Sequence, residues 1–218
     1  MTLHEPATFV TDLLLAGLGL CLALRLRRAP PASARNWWIA SISLMAASAF
    51  VGGFYHGFSP EVPAAVEARW WLVVLWIICA LGFAMGMGLL REFDPPRSHL
   101  WQGLLAAKFA IACTAAALKP EFIVAMADYG SAMLAWTIAS LAARRVWRGA
   151  ILAGVGLSLM AAVIQQSRPG LTELFNHNDL FHVVQAFALF AFYRAGCKLG
   201  EGPAGDRGRY RLQARNAE

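Results

Sequence analysis

Few side chains in this 218-residue chain could do chemistry, and they are unevenly placed. Asp12, His56 and Asp128 stand alone in long apolar stretches. Gln165 and Gln166 close another such stretch, and the run Asn176-His177-Asn178-Asp179-Leu180-Phe181-His182, followed by Gln185, opens the last one. Imidazoles and carboxylates exchange protons, and side-chain amides hold polar ligands. No nucleophile elbow and no glycine-rich phosphate loop accompanies them.

The elements that must position these groups follow from composition. The chain is 58% hydrophobic and only 15% charged, against about 25% charged in ordinary soluble domains. That balance weighs against a water-soluble globule. A transmembrane helix needs about 20 mostly apolar residues. Windows of that kind, bounded by charges, prolines or aromatics, occur at 8–26, 36–56, 69–91, 99–118, 121–143, 147–165 and 176–196. The reading is an all-α polytopic membrane protein, a seven-transmembrane-helix bundle over 1–199, followed by a basic tail, 200–218, expected to be disordered. The chain starts Met1-Thr2-Leu3-His4-Glu5-Pro6, without the basic stretch of a secretory signal, so the first window is read as a permanent span.

Charge placement orients the bundle, because cytoplasmic loops collect Lys and Arg. Arg25, Arg27, Arg28 and Arg35 follow window 1, Arg91 and Arg97 window 3, and Arg144, Arg145 and Arg148 window 5. Arg194, Lys198, Arg207, Arg209, Arg211 and Arg215 follow window 7. Only Arg69, Lys119 and Arg168 fall at the other face, with Lys108 inside window 4. The N-terminus is expected outside and the C-terminus in the cytoplasm, in a bacterial inner membrane. The net charge of +6 is then a product of topology, and no nucleic-acid partner is expected. Cys21, Cys79, Cys113 and Cys197 lie in different windows and read as packing residues.

An ionisable side chain is costly in hydrocarbon and is a functional suspect by default. With the helix directions set, Asp12, His56, Asp128, Gln165, Gln166 and the run 176–182 all fall in the outer third, which implies a cavity open to the outside. On the last helix Asn178, Asp179, His182 and Gln185 share one face, with His177 turned away. Plainer roles remain open. Asn176 and Asp179 fit a helix N-cap pair. Asp128 could pair with Lys108, Asp12 could answer the helix dipole, and Gln165 and Gln166 could satisfy helix-end carbonyls. His56 could sit at the interface beside Tyr55, and His182 could be a hydrogen-bonded core histidine.

His56 at the end of window 2 and Asn178-Asp179-Leu180-Phe181-His182-Val183-Val184 in window 7 give residues 8–196 a resemblance to the CREST superfamily of seven-helix membrane hydrolases, which includes alkaline ceramidases and the progestin and adiponectin receptor group. The resemblance implies a zinc ion held by three histidines that activates water to hydrolyse a lipid amide. His56 matches the helix 2 histidine of that pattern and His182 the second histidine of helix 7. Gly52 stands where the pattern has serine, Asn178 where it has the first helix 7 histidine, and window 3 has no aspartate.

A complete zinc set would therefore draw on His177, or on Asp12 or Asp128 as a carboxylate ligand, leaving another carboxylate among Asp12, Asp128 and Asp179 as general base. The competing expectation is a metal-free cavity that binds a membrane lipid or small amphiphile through Asn178, Gln165, Gln166 and Gln185. A haem held by His56 and His182 lacks support from a second histidine pair, and a retinal protein would need a lysine in window 7, where there is none.

Overall fold

In the computed structural model the chain forms seven α-helices: α1 Pro6–Leu26, α2 Ser33–Phe58, α3 Ala64–Phe93, α4 Ser98–Leu118, α5 Phe122–Ala142, α6 Arg148–Ser167 and α7 His177–Gly196. A short 3-10 turn, Ser59–Glu61, follows α2. The structure describes residues 2–169, 172 and 175–201. The tail expected to be disordered lies, beyond residue 201, outside the described residues.

The helices from α1 to α6 are long and apolar enough to cross a membrane, which marks a membrane protein. The seven expected helices are present, and six of them meet that criterion. Helix α7 is not among the six, and Asn178, Asp179, His182 and Gln185 dilute the apolar character of its first half. The long helices α2 and α3 also outrun the expected windows, because their polar first or last turns remain helical.

Short connections make successive helices antiparallel, so the bundle has two ends. The starts of α1, α3, α5 and α7 and the finishes of α2, α4 and α6 form the polar end. The opposite, basic end is closed by tryptophan. Trp38, Trp136 and Trp147 are fully buried, with ring centroids 4.8 Å apart in the first pair and 5.4 Å in the second, both edge to face. Their indole N–H groups donate to Phe192 O at 2.8 Å, Met85 O at 3.0 Å and Glu92 Oε1 at 2.8 Å. Arg35, only 4% exposed, donates to Gly196 O and Leu199 O at 3.0 and 2.6 Å, satisfying carbonyls at the C-terminus of α7. Read from sequence as a loop charge, it is a structural cap.

Small residues bring α1 and α2 together. A Cβ on Gly19 would lie 2.9 Å from Ala46 Cβ, and one on Gly53 would lie 2.8 Å from Asp12 Cβ. Only glycine permits that approach, and it sets Asp12 against α2. Helix α4 is peripheral, with only Ala112 and Ala116 buried.

Candidate functional site

The polar end begins with the start of α7. Asn176 and Asp179 form a reciprocal capping box: Asn176 Oδ1 accepts from Asn178 N at 2.7 Å, and Asp179 Oδ2 accepts from Asn176 N at 2.6 Å. This cap fixes the first turn and therefore the direction in which His182 projects. Asp179 is fully buried and its second oxygen faces the Thr11 hydroxyl at 3.4 Å. A carboxylate committed to a helix cap is not free to act as a general base, so the catalytic expectation for Asp179 is replaced by a structural one.

His182 lies one turn further on and is 8% exposed. Its Nε2 is 3.1 Å from Asp12 Oδ1 and its Nδ1 is 3.0 Å from Thr11 Oγ1. With Asp12 ionised, Nε2–H donates to the carboxylate, and Nδ1 then accepts the single hydroxyl proton of Thr11. Thr8 O, at 3.1 Å, competes for that proton. Thr11 was not singled out from sequence, although Thr8, Thr11 and Asp12 fall on one face of α1.

A cavity of about 390 Å³ opens beside this pair and is lined from every helix except α4. Its polar lining includes Asp12, His56, Gln165, Asn178, His182 and Gln185, and its apolar walls include Leu15, Met45, Trp71, Ile78, Phe122 and Phe181. Gln165 Nε2 donates to Asn178 Oδ1 at 2.9 Å, and Ser158 Oγ donates to Gln185 Oε1 at 3.2 Å. Two lining acceptors, Asp12 Oδ2 and Gln165 Oε1, are buried without a partner.

A strap crosses the polar end. His4 N donates to Gly57 O at 2.9 Å, and His56 Nδ1 lies 3.4 Å from Glu5 Oε2. Glu5 holds a left-handed backbone conformation (φ 41°), which a residue other than glycine adopts only at some cost in strain. The hydrogen bond from His56 holds its carboxyl below the usual range, against the opposing effect of burial.

Four expected site residues lie elsewhere or serve otherwise. Asp128 does not line the cavity. Its carboxylate pairs with Lys108 Nζ, which also reaches Asp128 O at 3.2 Å, across the α4–α5 interface. The level of Asp128 along the bundle was readable from the sequence, but the adjacent Tyr129, about 100° round the helix, is the one that faces the cavity. Gln166 is exposed, and His177 is half-buried at the start of α7 off the cavity lining. Asp179 is the cap described above.

The donors do not fit the three-histidine zinc centre that the resemblance implies. Both ring nitrogens of His182 are engaged by Asp12 and Thr11, and His56 Nδ1 faces Glu5. Among the described residues no three His, Cys, Asp or Glu side chains are grouped as ligands to one ion.

The model of a family of unknown function (DUF6962) matches residues 7–201, and the chain belongs to that family. No curated protein and no solved structure matches it.

Proposed function

We propose that this family member is a polytopic membrane protein, N-terminus outside and C-terminus cytoplasmic, whose cavity binds a single amphiphilic ligand drawn from the membrane. The observation that carries this reading is the cavity itself, apolar along its walls and polar where Asp12, His56, His182, Gln165 and Asn178 converge. Binding sites for small molecules combine such walls with a few placed polar groups, in volumes of about 300–1,000 Å³. The one-sided distribution of Arg and Lys supports the orientation. In a bacterial inner membrane the cavity then faces the periplasm.

A second reading draws on the Asp12–His182 pair. An imidazole held by a carboxylate can take a proton from water, which would suit hydrolysis of a bound lipid amide or ester, as the likeness to CREST hydrolases implies. The engaged donors supply no zinc set, so no step through a metal is derived.

Gly52 provides the test. It lines the cavity, and a Cβ built there meets nothing within 4 Å. Gly52→Leu should therefore fold and fill the space. Wild-type protein purified in mild detergent is expected to retain an extractable amphiphile by mass spectrometry, and Gly52→Leu is expected to lose it. Retention of the same lipids by both proteins overturns the binding reading. Stoichiometric zinc lost from both His56→Ala and His182→Ala would turn it into the hydrolase reading.

A further inference from the structure

The head group that this cavity selects is legible from its charge, and the inference rests on the ligand-binding reading above. Of the side chains lining the cavity, Asp12 is the only carboxyl group, and no Lys or Arg is among them. Two more carboxylates stand just behind the lining: Glu5 against His56, and Asp179 against Thr11, which itself touches His182. The free hydrogen-bonding capacity has the same sign. Asp12 is 3% exposed and spends Oδ1 on His182, leaving Oδ2 without a donor, and Gln165 Oε1 is likewise unused.

A buried acceptor without a partner costs free energy, and a buried carboxylate oxygen costs more than a neutral one. A ligand that donates hydrogen bonds relieves that cost. A ligand that also carries positive charge gains the attraction of these acidic side chains, most of all of Asp12, which it would touch away from solvent. An anionic head group would meet the acidic side chains and find no Lys or Arg in the lining. We infer that the occupant is a single-chain amphiphile with a protonated amine head, whose N–H groups are received by Asp12 and Gln165 while its chain lies against Leu15, Ile78 and Phe122.

Three probes of equal chain length separate the terms: dodecylamine, dodecanol and dodecanoate. Trp71 lines the cavity and reports occupancy by fluorescence, with Gly52→Leu as the blocked control. Dodecylamine is expected to bind the wild-type protein about tenfold or more tightly than dodecanol, with dodecanoate weakest. Asp12→Asn, nearly the same shape, is expected to bring the amine down to the level of the alcohol while dodecanol still binds. Equal binding of amine, alcohol and acid by wild-type protein overturns the head-group inference and leaves the amphiphile reading standing, and this comparison needs no variant. An amine preference undiminished in Asp12→Asn also overturns it. Saturable binding of none of the three, or binding unchanged in Gly52→Leu, overturns both.

Discussion

The two ends of the bundle bury polar groups in opposite ways. At the basic end every buried donor that the tryptophans and Arg35 bring in has an acceptor, and the cavity that lies on that side, between α3, α4 and α5, is lined almost wholly by apolar side chains. Glu92 illustrates the thrift there: Oε1 accepts from Trp147 and Oε2 from Gly200 N at 2.9 Å. At the polar end, Asp12 and Gln165 each leave an acceptor unused beside a cavity of about 390 Å³. Both ends belong to the same helices, so helix stability does not distinguish them. The difference is that the tryptophan and arginine donors of one end are answered by the chain itself, with Ser140 Oγ left over, whereas the unused groups of the other end are acceptors aimed into its cavity.

The largest test of that contrast is Trp136→Ala. Trp136 is fully buried between Trp38 and Trp147, and no neighbour can follow the lost ring without breaking its own hydrogen bond. Truncation should cost about 3–5 kcal/mol, measured as a fall in the thermal midpoint in detergent. Gly52→Leu at the other end should change stability by less than about 1 kcal/mol, because it adds volume where there is space. Comparable losses in the two proteins would mean that the polar end is as tightly specified as the tryptophan end.

A smaller effect is expected within the polar end. His182→Ala removes the one hydrogen-bond partner that Asp12 has among the described residues and frees Thr11, so it should cost about 1–3 kcal/mol. In the double variant His182→Ala/Asp12→Ala the unpaired carboxylate is gone. Its loss should therefore be smaller than the sum of the single losses, a coupling of about 1–2 kcal/mol in a double-mutant cycle. Strict additivity would show that the two side chains are neighbours without an energetic bond.

These residues also show how far the sequence could be read. Helix number and approximate spans followed from window length, since only a helix satisfies its own backbone in hydrocarbon. The cap at Asn176 and Asp179 followed from a three-residue spacing that fixes its own geometry. Azimuth was harder. In α5, apolar residues occupy nearly every face, so nothing in the pattern says whether Asp128 or Tyr129 looks inward. The neighbour decides it: Lys108 lies on α4, and Asp128 turns to it. The same limit hid Arg35, which sits among loop arginines in the sequence but folds back under the end of α7. The convergence of His56, His182 and Asp12 on one cavity was legible because α2 and α7 end and begin at the same level. The partners of those histidines were not, because Thr11 and Glu5 are ordinary residues for a helix start.

The smallest effect concerns the strap, the counterpart of Glu92 at the opposite end. Glu5 has a carboxyl held below its ordinary value of 4.5, chiefly by the hydrogen bond to His56. A carboxylate with a depressed value in the folded protein contributes stability that is present above about pH 4.5 and is lost as the pH falls through the lower, folded value. Glu5 is 46% exposed, so solvent screening keeps the contribution under about 1 kcal/mol. Glu5→Gln removes the titration while keeping the length of the side chain. The thermal midpoint of the wild-type protein should exceed that of the variant near about pH 6, and the two should converge as the pH falls through the lowered value of Glu5. Convergence would tie the strap to the strained backbone at Glu5 and to His56, and hence to the lining of the cavity it crosses. A constant difference across that range would mean that Glu5 acts through packing alone and that the polar end is closed by its helices rather than by the segment that precedes them.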